Sequence, residues 1–201
     1  MFRGIPHPES WESVDESLLV LAAGACRDQD SLLRVAGFDF DDTLVQRVGD
    51  EHMFPTVRAT LTDLHLDGFA IVIFTNESLD GHENQGAKLA EKVRRVERFV
   101  SAFPFPIHVY MATARDKYRK PHLGVGSDAM WTRMTQDLGE ADLEQSFYCG
   151  DMVGDTCQFS DGDLWFAKEV GIRFVHPTEM FSPPPANRLG YAPPRWRDDL
   201  S

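Results

Sequence analysis

Short apolar runs rich in β-branched or aromatic residues recur along this chain, and each is followed by a stretch long enough for a helix. Residues 34–40, 70–75, 107–112, 146–149 and 172–175 read as strands buried on both faces, because their apolar character is nearly continuous. Helices are predicted from Pro55, a first-turn position, to a stop at Gly68, and from Ala87 to Ala102. Two more run from Ser127 as N-cap to Gly139 and from Asp161 to Gly171. The β-α-β-α alternation implies one α/β domain, a three-layer Rossmann-like parallel sheet with helices on both faces. Residues 18–23 read as a further edge strand or a short helix, and periodicity does not choose between them.

Composition narrows the class. With 201 residues, 42% hydrophobic and 26% charged, the chain is long enough for one packed domain. Cys26, Cys149 and Cys157 form neither an even set nor a C-x-x-C pair, so no disulfide framework or zinc ribbon is signalled. An intracellular setting, the nucleus included, is expected. The longest apolar run, 18–25, is too short to span a bilayer and follows acidic residues, so neither a membrane anchor nor a secretory signal is expected. Residues 1–12 form an N-terminal segment, and 182–201, with Pro183, Pro184, Pro185, Pro193 and Pro194, an extended tail. The folded domain is expected over 13–181, as a monomer.

The chemistry concentrates where strands end. In Phe38-Asp39-Phe40-Asp41-Asp42-Thr43-Leu44, alternation puts Asp39 and Asp41 on one side and Phe40 on the other. Carboxyl ends of parallel strands are where ligands bind, and two carboxylates held close call for a cation or a proton. Mg²⁺, which favours oxygen ligands, meets that need. An acidic turn with Asp42 in an Asx-turn is the competing explanation. A second acidic pair, Asp151 and Asp155, follows the strand at 146–149, and glycines flanking Asp151 would permit a tight turn. Asp151 is the third candidate metal ligand; Asp155 and Asp163 either support the site or favour a helix N-terminus. Thr75-Asn76 closes the second strand with a hydroxyl and backbone N–H groups suited to phosphate, and Lys120 follows the third as a point charge for a phosphoryl oxygen.

Acid pair, hydroxyl, lysine and acid in that order resemble the haloacid dehalogenase-type phosphohydrolases. Within that superfamily the chain is similar to the 3′-phosphatase domain of polynucleotide kinase 3′-phosphatases. Val35-Ala36-Gly37-Phe38-Asp39, Ile71-Val72-Ile73-Phe74-Thr75-Asn76, Asp116-Lys117-Tyr118-Arg119-Lys120-Pro121 and Phe159-Ser160 with Asp163, Phe166 and Ala167 carry the likeness. The resemblance implies that Asp39 attacks phosphorus to give an aspartyl-phosphate, while Asp41 protonates the leaving hydroxyl and later activates water. It implies Mg²⁺ on the Asp39 carboxylate, the Asp41 backbone carbonyl and Asp151, phosphoryl oxygens on Thr75, Asn76 and Lys120, and support from Thr43, Asp155 and Asp163. Asp42 stands where that family usually has Gly, Glu77 replaces the more usual Gln, and residues 124–128 lengthen the link after Lys120.

No sequence is left for a large cap domain, and an uncapped site suits a polymer end that covers it with its own bulk. The net charge of −12 gives no long-range attraction to nucleic acid, so a polyanion needs local cations. Lys88, Lys92, Arg94, Arg95 and Arg98 on the second helix are one such cluster or a solvated face; Arg115, Lys117, Arg119 and Lys120 are the other. Residues 81–88 fail as a nucleotide-binding loop, since Ala87 stands where lysine belongs, so no kinase activity is expected. The leading expectation is a Mg²⁺-dependent phosphatase for 3′-phosphorylated DNA ends, with repair proteins as partners. Its rivals are an uncapped phosphatase for a small phosphomonoester or phosphoprotein, and a catalytically idle scaffold binding nucleic acid or protein.

Overall fold

The computed structural model describes residues 11–22, 31–77, 79, 84–120, 129–153 and 162–182. In chain order these form β1 (Glu12–Val14), β2 (Leu18–Leu21), β3 (Val35–Phe38), α1 (Val57–Leu66), β4 (Ala70–Asn76) and α2 (Gln85–Ser101). There follow β5 (Ile107–Ala112), α3 (Ala129–Leu138), β6 (Phe147–Cys149), α4 (Gly162–Val170), β7 (Arg173–Val175) and α5 (Pro177–Phe181). The expected helix starts at Ser127 and Asp161 lie outside the described residues, as do Asp155 and the tail from residue 183.

One sheet takes the order β1-β2-β5-β4-β3-β6-β7. The five strands from β5 to β7 are parallel, as expected; β2 joins β5 antiparallel, and β1 joins β2 antiparallel. Residues 18–21 are thus an edge strand, and the sheet carries an antiparallel hairpin that the patterning did not announce. Glu12, expected in the N-terminal segment, opens β1. Asp15 and Glu16 turn the hairpin with φ of +49° and +60°, the left-handed pair that matches strand twist. The turn clasps the loop after β5: Ser17 O accepts from the Thr113 N–H at 2.8 Å, and Asp15 from Lys117 at 2.7 Å and Tyr118 at 2.8 Å.

Strand residues alternate between two cores. Phe38, Ile71, Ile73, Ile107 and Val109 pack with Leu61 and Leu64 of α1, Val96 and Phe99 of α2, and Phe181 of α5. Val35, Val72, Phe74, Tyr110 and Tyr148 face the other way, onto Met130, Trp131 and Met134 of α3 and Phe166 of α4. This gives the three expected layers and explains why β4 is buried from Ala70 through Thr75. Phe74 alone touches Tyr110, Trp131, Tyr148 and Phe166, and truncating so central a ring costs about 3–5 kcal/mol.

The chain runs outward from β3 through β4 to β5, then returns to the far side of β3 to begin β6. The carboxyl ends of β3, β4 and β6 therefore meet at the point where strand order reverses, the crevice in which open α/β sheets bind ligands. Among the described residues, no helix is long and apolar enough to cross a membrane.

Candidate active site

β3 ends at Phe38, two residues sooner than the apolar run, because the chain turns there. The Asp39 N–H donates to Cys149 O at 2.9 Å, which locks the Asp39 backbone to β6 just past the last paired residues. Phe40 is buried in the first core, and its carbonyl accepts from the N–H groups of Leu44 and Val45, both at 3.0 Å. Asp42 sits at φ +57°, a left-handed conformation that Asp tolerates better than most residues with a side chain. Its carboxylate accepts from the Arg47 N–H at 3.1 Å and pairs with Arg47 Nε at 2.9 Å. Asp42 therefore serves the turn, and its departure from the family's usual Gly is met locally.

Lys120 brings the loops together. It is only 3% exposed, and its Nζ lies 2.9 Å from Asp39 Oδ1, 2.8 Å from Asp163 Oδ1 and against the Tyr148 hydroxyl. Asn76 holds the Lys120 backbone from both sides: its Nδ2 donates to Lys120 O at 2.6 Å, and its Oδ1 accepts from the Lys120 N–H at 3.0 Å. The Asn76 side chain, expected on phosphate, is thus engaged with Lys120. Thr75 is buried and lines the same cleft. Tyr148, to which the sequence reading assigned no role, lies 3.1 Å from both Phe74 O and Asp163 Oδ1. Gly37 makes room for that ring, since a Cβ there would come within 2.9 Å of Tyr148 Cδ2.

Asp163 stands behind the site, 2% exposed, with Oδ2 accepting from the Met152 N–H at 3.1 Å. Gly150 lets it in. A Cβ at Gly150 would lie 2.4 Å from the Asp163 Cγ, so this glycine answers a close approach and not a left-handed φ. Asp151 accepts from the Thr43 hydroxyl at 3.3 Å, which gives Thr43 a place beside it.

The electrostatics follow from burial. Desolvation pushes the Asp39 carboxyl up to about 7; Lys120 works against that shift, and the Asp163 charge adds to it. Burial, then Asp163, also raises Asp151. For Lys120, burial opposes charge, yet the Asp163 and Asp39 carboxylates outweigh it and raise the ammonium's pKa. One oxygen from each of Asp39, Asp151 and Asp163 lies within 4.8 Å of the others. Three carboxylates so close, two of them raised by burial, fit a hard divalent cation. Asp163 engages Lys120, Tyr148 and Met152, and Asp39 engages Lys120 through Oδ1 alone, so Asp39 and Asp151 are the less occupied of the three carboxylates that could hold such an ion.

The Asp41 carboxylate is not in that cluster. It lines the same cleft but turns to α2, where Oδ2 meets Lys92 Nζ and Oδ1 lies 3.0 Å from Arg95 Nη1. Lys92 and Arg95 are thus not a solvated face: both line the cleft and meet Asp41 there. A lysine at position 92 in the stripe shared with Val96 and Phe99 was the available signal. The cleft has a volume of about 440 Å³, and Arg47, Lys88, Glu91 and Arg119 line it further out.

Comparison with known proteins agrees with this geometry. Residues 34–181 match the family profile described as Polynucleotide kinase 3 phosphatase. The chain is 34% identical over 172 residues, 75% of its length and 24% of the other's, to the polynucleotide 3′-phosphatase ZDP of Arabidopsis thaliana. It is 31% identical over 176 residues to an uncharacterized 20.8 kDa protein of Autographa californica nuclear polyhedrosis virus, covering 80% of this chain and 92% of that one. With the bifunctional polynucleotide phosphatase/kinase of Schizosaccharomyces pombe it shares 28% identity over 84% of this chain and 42% of that one. The chain thus spans about a quarter to two fifths of the two cellular relatives. A solved HAD-like phosphatase from Mesorhizobium loti superposes with a TM-score of 0.54 at 19% identity, over 83% of this chain and 80% of that one, and shares the fold.

Proposed function

The chain belongs to the polynucleotide kinase 3 phosphatase family of phosphomonoesterases, and from that premise we propose that it is a Mg²⁺-dependent phosphatase that clears 3′-phosphates from DNA ends. The observation that carries the reading is Asp39, at the switch point of the sheet, held 2.9 Å from the buried Lys120 in a cleft shared with Thr75 and Asp151. The domain expected over 13–181 gains Glu12, which opens β1, so the catalytic unit proposed is residues 12–181.

In the first step an Asp39 carboxylate oxygen bonds to phosphorus, the P–O3′ bond breaks, and Asp41 gives its proton to the departing 3′ oxygen. In the second, water bonds to phosphorus as its proton passes to Asp41, and the Asp39–phosphorus bond breaks to release phosphate. Lys120 and the Thr75 hydroxyl hold phosphoryl oxygens as charge shifts among them. Asp39 and Asp151 would hold Mg²⁺, which would supply charge neutralisation at the phosphoryl oxygens. Thr43 orients Asp151, and Asp163 with Tyr148 fixes Lys120 from behind.

Substrate class follows from access. Among the described residues no named helix or strand lies between β3 and α1 or between β4 and α2; residues 39–56 form a loop bridged through Val45, and its Arg47 lines the cleft. A strand end excludes water by its own bulk where a free metabolite needs a lid. Phosphate release in Mg²⁺ from a 3′-phosphorylated oligonucleotide, beside 5′-phosphorylated, sugar-phosphate and phosphopeptide controls, tests the assignment. Preference for the 3′ end supports it, and faster release from any control contradicts it.

A further inference from the structure

We propose that Lys92 and Arg95 are positioning residues that fix the orientation from which Asp41 exchanges its proton. The inference rests on Asp41 being the proton donor and acceptor of the proposed reaction. The two oxygens of its carboxylate have separate holders, Oδ2 at Lys92 Nζ and Oδ1 at Arg95 Nη1.

Each holder is itself anchored. Lys92 is 2% exposed, its stem lies in the α2 stripe with Val96 and Phe99, and its ammonium stands 4.8 Å from the centre of the Phe40 ring. The Arg95 Nη2 donates to Gln46 O at 2.7 Å, and its guanidinium lies 5.6 Å over the same ring. Phe40 separates Asp39 from Asp41 in sequence, so this grip ties α2 to the segment carrying both reacting carboxylates. Each donor reaches a different oxygen, and together they confine the carboxyl to one rotamer.

Stability alone does not account for the lysine. Burying an ammonium carries a desolvation cost that an apolar residue would not, and an apolar residue would complete a stripe that already holds Val96 and Phe99.

The test uses Lys92→Met and Arg95→Gln with two oligonucleotides that differ in one atom, a bridging 3′ oxygen or a bridging 3′ sulfur. The alkoxide needs a proton to leave and the thiolate does not, so kcat/KM reports proton donation apart from phosphate binding. The expected result is a fall of about 10- to 100-fold on the oxygen ester and less than about threefold on the sulfur ester. Equal losses on both would overturn the proposal and place the two cations in phosphate binding or in the fold. Should Lys92→Met fail to fold, Arg95→Gln, whose side chain is partly exposed, decides alone. Wild-type protein inert towards both esters contradicts the phosphatase assignment itself, whereas active wild type with unselective variants contradicts only this inference.

Discussion

Asn76 and Lys120 are joined by two reciprocal hydrogen bonds, side-chain amide to backbone carbonyl at 2.6 Å and backbone N–H to amide oxygen at 3.0 Å. The pair links the end of β4 to the loop after β5, so the residue beside Thr75 decides where the Lys120 ammonium stands. Asn76→Ala removes both bonds and leaves the ammonium in place chemically but loosely aimed. We expect kcat/KM on a 3′-phosphorylated oligonucleotide to fall by about tenfold or more, with the thermal midpoint little changed. Unchanged kinetics would show that Lys120 is held sufficiently by Asp163 and Tyr148.

Gly150 predicts a large effect from one methyl group. Because a Cβ there would collide with Asp163 at 2.4 Å, Gly150→Ala must displace the carboxylate that supports Lys120. The expected cost is about 3 kcal/mol of stability together with lost activity, measured by denaturant unfolding and phosphate release. A variant of wild-type stability would mean that Asp163 has room to retreat.

Asp42 gives a test with a sign. At φ +57°, Asp42→Gly trades the Arg47 contacts for conformational ease and should leave stability within about 1 kcal/mol. Asp42→Val meets the same backbone without either benefit and should lose about 1–3 kcal/mol. Denaturant midpoints compare the two, and equal losses would remove the conformational account.

Metal and proton compete at Asp39. Its folded pKa, raised by burial to about 7, exceeds the unfolded value. It therefore favours folding fully below the ordinary carboxylate range, and that contribution fades as pH rises through about 7. In chelator, the thermal midpoint should fall between about pH 5 and pH 8 more steeply in wild type than in Asp39→Asn. Mg²⁺ should restore wild type more at about pH 8, where no proton has to be displaced. Parallel pH profiles for the two proteins would contradict this.

Much of this was legible before any coordinates. The five parallel strands stood out because burial on both faces forces continuous apolar runs, and Asp39, Thr75, Lys120 and Asp151 stood out because each lies at or beyond the end of one. β1 was not legible: Glu-Ser-Val is short, exposed and unpatterned, and Asp15-Glu16 is a weak turn signal that the sheet edge enforces. The direction of Asp41 also escaped, because alternation says which side of a strand a residue leaves from and nothing about partners on a distant helix. Gly150 looked like a turn residue because the approach of Asp163 comes from across the fold.

The account depends above all on Asp39 forming a bond to phosphorus. Acid quenching of the protein during turnover of an oligonucleotide radiolabelled in its 3′-phosphate, followed by peptide mapping, measures this directly. We predict label on the peptide containing Asp39, and none on Asp39→Asn, which should also release no phosphate. Continued phosphate release by Asp39→Asn, or label on any other residue, would contradict the account.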